Sequence, residues 1–377
     1  MDGWKKVKLS EITSVITKGT TPTTIGYSFT EEGINFIKIE SITSHGYFLP
    51  DKMEHISDEC NEKMKRSQLQ ENDILFSIAG AIGRTSIVPK HILPANTNQA
   101  LSIIRLNTQD ILPEFLATCL KSESVYKQFE KRKQGVAQLN LSLKDISELE
   151  IIYPNVRVQE ELLSVLGKGK LLIGKRKEQI EACDELIKSQ FIEMFGDPII
   201  NSKGLPVVEL GEVCNMKAGK SIKAADIFDI DESTMFPCYG GNGLRGYVKD
   251  YTHEGAMPLI GRQGALCGNV QFAQGKFYAT EHAIVTQPKI EMNTQWLYIM
   301  LREMNLNRLA SGAAQPGLNV STLVPLEVIN PPLELQNQFA EFVQQVDKLK
   351  FEMQNSLQEL ENNFNSLMQR AFKGELF

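Results

Sequence analysis

The sequence predicts an α+β protein of two similar units, each followed by a long helix. The two helices are expected to pair as an antiparallel coiled coil, with pseudo-two-fold symmetry relating the units. Three observations carry this reading. "GVAQLNLSLKDISELEIIYPNVRVQEELLSVL" (Gly135–Leu166) returns without a gap as "GAAQPGLNVSTLVPLEVINPPLELQNQFAEFV" (Gly312–Val343), 177 residues later, and a long self-match at one period marks repeated units. Each copy opens with short apolar segments set between Gly, Pro, Asn and Thr, the pattern of strands and turns. Each closes in a long stretch with few breakers whose apolar residues recur at steps of four and three.

The repeat extends outward from the quoted stretch. "VKLSEITSVITKG" (Val7–Gly19) is echoed by "VELGEVCNMKAG" (Val208–Gly219), "ILFSIAGAIGRTSIV" (Ile74–Val88) by "PLIGRQGALCGNV" (Pro258–Val270), and "ANTNQALSI" (Ala95–Ile103) by "YATEHAIVT" (Tyr278–Thr286). The spacing falls from about 200 at the starts to 183–184 in the middle and 177 at the ends, so the first copy holds extra residues in its early part. "PEFLATCLKSESVYKQFEKR" (Pro113–Arg132) is expected to be a helix with Pro at its start, and "NTQWLYIMLREMNLNRL" (Asn293–Leu309) its counterpart. The first seam runs Leu162, Leu166, Gly169, Ile173, Arg176, Ile180, Cys183, Ile187, Gln190 and Met194. The second runs Phe339, Val343, Val346, Lys350, Met353, Leu357, Leu360, Phe364, Leu367 and Ala371. Arg176, Gln190 and Lys350 interrupt the seams; snorkelling is the simpler account, and a register-setting role the alternative. Helices of this length span roughly 50–55 Å. The expected division is 1–157, 158–197, 198–335 and 336–377, unit and helix in alternation.

Composition bounds the function. A chain of 377 residues, 42% hydrophobic and 23% charged, can bury two cores. No window approaches an uninterrupted apolar membrane span. The start, "MDGWKKVKLS", lacks the apolar core of a signal peptide, so a cytoplasmic protein is expected. Cys60, Cys119, Cys183, Cys214, Cys238 and Cys267 never form C-x-x-C and read as reduced thiols. The net charge of −6 argues mildly against nucleic acid. Local patches steer DNA, however, and basic residues gather at Lys127–Lys133 and in "GKGKLLIGKRK" (Gly167–Lys177), where the simplest reading is solvated helix faces.

These features together resemble the specificity subunit of type I restriction–modification systems. The marks are the opening "WKKVKLSEI" (Trp4–Ile12), "YGGNGLRGYV" (Tyr239–Val248), "LIGRQGALCGNV", "PPLELQNQF" (Pro331–Phe339) and the final "QRAFKGELF". Each is weak alone; their doubled order along the whole chain is specific. The resemblance implies that 1–157 and 198–335 are target-recognition domains, each reading half of a split double-stranded DNA sequence. It implies that 158–197 and 336–377 are conserved spacer helices that dock two methyltransferase subunits and, in a restriction-competent system, restriction/translocase subunits. It also implies a non-catalytic subunit with no cofactor of its own, S-adenosylmethionine, ATP and Mg belonging to the partners. No membrane partner is implied.

Contrary chemistry is thin. "NPPL" (Asn330–Leu333) approaches the Asn/Asp-Pro-Pro-aromatic motif of amino-group DNA methyltransferases, but Leu333 has no ring to stack on a flipped base. Its repeat partner "YPNV" (Tyr153–Val156) keeps one proline, so a stiff start to the second long helix is the expectation. "CNMKAGKS" (Cys214–Ser221) approaches a phosphate-binding loop but has Cys214 where glycine is required. His45, His55, His91, His253 and His282 show no zinc spacing. Two alternatives stay open: a methyltransferase with its own cofactor site, and an inactive assembly scaffold.

Base edges are read by Arg, Lys, Asn, Gln, Ser, Thr and carboxylates, and Gly-rich turns permit close approach to a duplex. The candidate DNA-binding residues of the first copy are Lys18, Thr20, Thr21 and Thr23; Arg84 and Thr85; Asn96, Asn98 and Gln99; and Gln138 and Asn140. Those of the second are Lys217, Lys220 and Ser221; Tyr239, Asn242 and Arg245; Arg262 and Gln263; Thr280, Glu281 and His282; and Gln315 and Asn319. Residues that differ at matching places are the better base readers, Asn98-Gln99 against Glu281-His282 above all, because Asn and Gln pair with adenine while Glu accepts from cytosine.

Overall fold

In the computed structural model, residues 3–130, 140–230, 234–264, 266–312 and 316–376 are described. The chain divides into two units: Met1–Lys175 with Leu357–Phe377, and Arg176–Ser356. Each unit therefore holds one recurring α+β body and one end of each long helix.

The first unit runs β1 (Lys5–Lys8), β2 (Thr13–Lys18), β3 (Ile34–Ile37), β4 (Glu54–Ile56), α1 (Asp58–Lys63), β5 (Ile74–Ser77), β6 (Thr85–Ile87), β7 (Ala95–Thr97) and β8 (Leu101–Leu106). It continues with α2 (Pro113–Cys119), α3 (Glu123–Glu130), α4 (Leu143–Ser147), β9 (Glu150–Tyr153) and the first part of α5 (Val156–Phe195). One sheet has the order β2-β8-β5-β6 and is antiparallel throughout; a second, β4-β3-β7, pairs β3 with β7 in parallel; β1 and β9 close the unit as an antiparallel pair.

The second unit runs β10 (Val207–Glu209), α6 (Leu210–Val213), β11 (Cys214–Ala218), β12 (Phe236–Gly240), β13 (Gly243–Val248), β14 (His253–Glu254), β15 (Met257–Gly261), β16 (Val270–Ala273), β17 (Lys276–Ala279) and β18 (Ala283–Pro288). It ends in α7 (Thr294–Glu303), α8 (Val320–Leu323), β19 (Glu327–Ile329) and α9 (Leu333–Phe372). Its sheets, β11-β18-β15-β16, β13-β12-β17-β14 and β10-β19, repeat the first unit's connections, including the parallel pair β12 with β17. The period of 177 is kept by the last elements: β9 and β19, α4 and α8, and α5 and α9 each start that far apart.

The seams are where the heptad count puts them: none of their twenty positions is exposed. In the first unit Leu162 and Leu166 join Ala371 and Phe372 in one core, with Phe364 and Leu367 packed on it and the Phe115 and Phe372 rings 5.3 Å apart. In the second, Cys183, Ile187, Phe191 and Phe195 pack with Phe339, Val343 and Val346. Contacts there run oppositely along the helices: Phe191 lies 5.5 Å from Phe339, and Asp184 takes an ion pair at 2.6 Å from Lys350. The pairing is antiparallel. Lys350 interrupts its seam with a largely covered stem whose ammonium reaches the exposed carboxylate of Asp184 on the other helix.

Two expected helices are broken. Pro113–Arg132 stops at Cys119 and restarts at Glu123, because Lys121 and Ser122 close tight turns onto Thr118 and Cys119; residues 131 and 132 lie outside the described residues. Asn293–Leu309 ends its α-helix at Glu303, where Asn305 takes a left-handed backbone (φ +47) before a short 3₁₀ turn. Asn bears that conformation better than most residues.

Candidate nucleic-acid interface

In both units the turn after the first long strand is bolted to the loop before the matching return strand. After β2, Gly19 donates its N–H to the Asn98 carbonyl at 3.1 Å, and a Cβ there would overlap the Thr97 carbonyl. After β11, Gly219 donates to the Ala283 carbonyl at 2.9 Å, and a Cβ there would overlap the Ala279 carbonyl. Only glycine fits either place. The consequence is a shared layout in which the predicted turn residues meet the predicted loop residues. In the first unit Thr21 donates to Gln99 Oε1 at 2.6 Å, and Asn98 accepts from the Ala100 N–H. In the second, the Lys220 N–H donates to the Ala279 carbonyl at 2.9 Å and the Ser221 hydroxyl faces Glu281 Oε1 at 3.5 Å. Lys18, Thr23, Gln99, Lys217, Lys220 and Ser221 are exposed, while Thr20, Thr21 and Asn98 are half-buried.

The second unit builds a denser polar patch. The Arg262 backbone bonds the His282 and Leu318 backbones, and its Nη1 reaches the Glu281 carbonyl at 3.4 Å. Gln263 Oε1 lies 2.9 Å from His282 Nδ1, and Glu281 Oε1 lies 3.5 Å from His282 Nε2. Gly241 packs its backbone on the Gly261 and His282 backbones, which brings exposed Asn242 to the same patch; Asn242 accepts from Asn269 Nδ2 at 3.0 Å. Three buried polar atoms here have no protein partner: Arg262 Nε, Thr280 Oγ1 and Glu281 Oε2. Unpaired buried donors and acceptors are costly, and a ligand that met them would recover that cost. Tyr239 is half-buried, edge-on to Phe277, and burial pushes its hydroxyl above the usual tyrosine range, so it stays a neutral donor. Arg245 is exposed on β13, and Asn319 is exposed at the start of α8.

Several predicted readers are instead spent inside the fold. Asn96 is fully buried; its amide bonds Asn61 Oδ1 at 2.8 Å and the Met64 carbonyl at 3.3 Å. Thr85 is buried and donates to the Ala117 carbonyl. The Arg84 guanidinium caps the Ile39 and Ile42 carbonyls at 3.0 and 2.6 Å. Thr280 is 0% exposed. Asn96, Thr85 and Arg84 hold loops in place with these bonds, whereas Thr280 is buried with its Oγ1 unpartnered. Asn140 is exposed beside Leu141, whose N–H bonds the Ile78 carbonyl. Gln138 and Gln315 lie outside the described residues.

The two motif near-matches resolve structurally. Pro331 of "NPPL" is buried and its carbonyl accepts from Gln336 Nε2 at 2.8 Å, at the start of α9. In "CNMKAGKS" a strand, not a glycine loop and helix, precedes Lys220. Among the described residues no group of three His, Cys, Asp or Glu could hold a metal, and no helix is long and apolar enough to cross a membrane.

Sequence reasoning missed a pair of buried glutamines. Gln159 accepts the Leu112 N–H at 2.8 Å and donates to the Asp110 and Pro154 carbonyls, both at 2.8 Å. Gln336, its counterpart 177 residues on, accepts the Asn293 N–H at 3.0 Å besides bonding Pro331. Each clasps the first turns of a long helix to the start of α2 or α7. The signal was available: a polar residue at the same place in both copies, one turn before an apolar seam.

Comparison with known proteins accounts for the doubled layout. The sequence matches the family described as type I restriction modification DNA specificity domain over residues 1–182 and again over 203–362. It is 32% identical over 351 residues to the type I restriction enzyme EcoprrI specificity subunit of Escherichia coli, covering 88% of this chain and 84% of that one. It is 21% identical over 408 residues to the type I restriction enzyme MjaIX specificity subunit of Methanocaldococcus jannaschii, covering 99% and 93%. The fold matches a chain from a structural study of type I R-M complex assembly and conformational transition, with TM-score 0.70 at 19% identity over 100% and 99% of the two chains. It also matches the type I S subunit of M. genitalium, with TM-score 0.55 at 18% identity over 98% and 96%. Matched twice along its length and aligned nearly end to end with a named specificity subunit, the chain belongs to the family of type I restriction–modification DNA specificity subunits.

Proposed function

We propose that this chain reads a split sequence in double-stranded DNA, one half-site by each unit's bolted turn-and-loop, and delivers methyltransferase subunits to it. The observation that carries this is a constant frame with a changed polar set. The same glycine-locked geometry presents Thr21, Asn98 and Gln99 in one unit and Ser221, Glu281 and His282 in the other. Amides suit adenine, and a carboxylate accepts from cytosine, so the two half-sites differ. Residues 1–157 and 198–335 are assigned as the readers, and 158–197 and 336–377 as the spacing and docking helices. Support for docking comes from apolar side chains left open on the helices, Leu171 and Leu172 at 58% and 54% exposure and Leu349 and Phe351 at 45% and 62%.

Two methyltransferase subunits are the proposed partners, joined by restriction/translocase subunits where the system carries them. S-adenosylmethionine, ATP and Mg then belong to those partners, and the complex works in the prokaryotic cytoplasm, on the nucleoid. The test is to map methylated adenines across the host genome with and without this gene. Loss of one split motif supports the proposal and gives both half-sites. An unchanged methylation map, with the methyltransferase subunits expressed, overturns it in favour of an inactive scaffold.

A further inference from the structure

The two units differ in charge at one matching place. The buried apolar residues Phe115, Leu116, Cys119 and Leu120 of the first unit correspond to Trp296, Leu297, Met300 and Leu301 of the second. This aligns Lys121 with Arg302 and Ser122 with Glu303, while the constant period aligns Lys170 with Asp347. In the second unit the cation is answered from within: Arg302 bonds Glu303 at 3.2 Å and lies in the field of Asp347. In the first unit both acids are gone, and a second lysine stands where the aspartate would be.

Lys121 and Lys170 line one cavity of about 540 Å³, together with Tyr126, Phe364, Met368 and Gln369. Among the described residues neither lysine has an acidic partner. Glu123 borders the same cavity, but its carboxylate is held by Lys127 at 2.6 Å and lies in the field of Lys373. The Lys121 side chain is exposed as a whole, yet protein crowds its ammonium: burial first, and neighbouring Lys170 second, bring it down to about 8. Two cations that repel each other in a walled cavity are stabilised by an anion that comes between them.

We infer that this cavity of the first unit receives an acidic side chain, Asp or Glu, from a docked protein subunit. The walls favour a protein over a DNA phosphate. Phe364 and Met368 offer apolar surface that the stem of a carboxylate side chain can cover, whereas phosphate contacts are made with the charged edge of the duplex in water. The inference rests on the methyltransferase docking proposed above and deepens it: the first unit has a charge-dependent docking point that the second has neutralised internally.

The experiment uses the full chain, co-purified with the methyltransferase subunit of its own system. Lys170→Asp writes the second unit's charge into the first. Lys170 is exposed, so the variant folds. The expected result is methyltransferase affinity lowered about tenfold or more, with loss of much of the salt dependence seen for the parent. Lys121→Met, measured beside it, should weaken binding in the same direction. Equal affinity of parent and both variants overturns the inference while leaving docking intact. If instead the variants lower non-specific DNA retardation by the chain alone and leave methyltransferase affinity unchanged, the cavity takes phosphate and the inference is wrong. Failure of the parent itself to bind the methyltransferase overturns the docking proposal and, with it, this inference.

Discussion

Replacing Gln336 with Ala should loosen the second unit from its helix without touching any candidate DNA contact. The side chain is 2% exposed. It bonds the Asn293 N–H at 3.0 Å and the Pro331 carbonyl at 2.8 Å, and alanine can reach neither. Stranding a buried donor or acceptor costs about 1–3 kcal/mol each, so Gln336→Ala should cost roughly 2–6 kcal/mol. Gln159, with three such bonds, should cost more. For a unit of this size each kcal/mol lowers the melting temperature by roughly 2–4 °C. Thermal unfolding followed by circular dichroism reads the loss, and amide exchange at Asn293 locates it.

Gln336→Glu sharpens the test. The acid keeps an acceptor for Asn293, but only its protonated form can donate to Pro331. Burial raises the pKa of such a carboxyl, so the stability it contributes is present at low pH and lost as pH rises through the folded-state pKa. The variant should therefore lie closer to the parent at pH 5 than at pH 8, after correction for the parent's own pH dependence. If both variants melt with the parent at either pH, the clasp contributes nothing and the account of how each unit is fixed to its helix is refuted.

Three further outcomes follow from the same geometry. Arg262→Ala should lower specific DNA binding by roughly 1–3 kcal/mol and relax one base position; unchanged discrimination among mutated duplexes would exclude base reading by Arg262. Gly219→Ala forces the turn away from the Ala279 carbonyl and should abolish retardation of the cognate duplex while the helical dichroism persists. Retained binding would mean that the Lys220–Ser221 turn lies outside the interface. For Lys121, the folded-state pKa of about 8 lies below the ordinary 10.5, so the folded protein sheds this proton before the unfolded chain does. The charged form thus diminishes stability below pH 8, and that deficit disappears between pH 8 and 10.5. Lys121→Met should raise the denaturant midpoint at pH 7 and match the parent only above pH 10.5; a gap that stays constant across this range would refute the placement of the ammonium.

The frame was legible because it obeys periods. Two seams counted at steps of four and three leave no member exposed, and the shared register follows from one spacing. The loops were less legible, because composition cannot separate a polar side chain that faces water from one that holds backbone. Asn96 and Asn98 sit two residues apart in "ANTNQ", yet Asn96 points inward to Asn61 while Asn98 stays at the edge of the loop. All three residues of β7, Ala95–Thr97, are buried, and Asn98 lies just past its end; the sequence alone left that boundary open. Arg84 misled for a related reason. Its guanidinium has the donors to read guanine, but its Nη1 is given to two backbone carbonyls of a neighbouring turn.

Why the copies agree in some places and not in others then has a physical answer. The positions kept in type are those where any other side chain breaks a bond or a close approach: Gly19 and Gly219 under a carbonyl, Gln159 and Gln336 clasping a helix start. Among the loop positions that change, Gln99 lies at the surface, where substitution costs little stability. Gln99 and His282 can differ because the glycine turn and the parallel strand pair beneath them do not depend on either side chain. A unit of this kind can acquire a new polar set without refolding. The price of that freedom is borne by atoms such as Arg262 Nε and Glu281 Oε2, buried in the second unit with no protein partner to satisfy them. If DNA supplies the missing partners, Glu281→Gln should retarget or abolish specific binding while leaving the unfolding temperature unchanged or higher, because it removes the charge from a carboxylate whose Oε2 is buried without a partner. A variant that lowered stability and left discrimination untouched would place Glu281 among the structural residues instead.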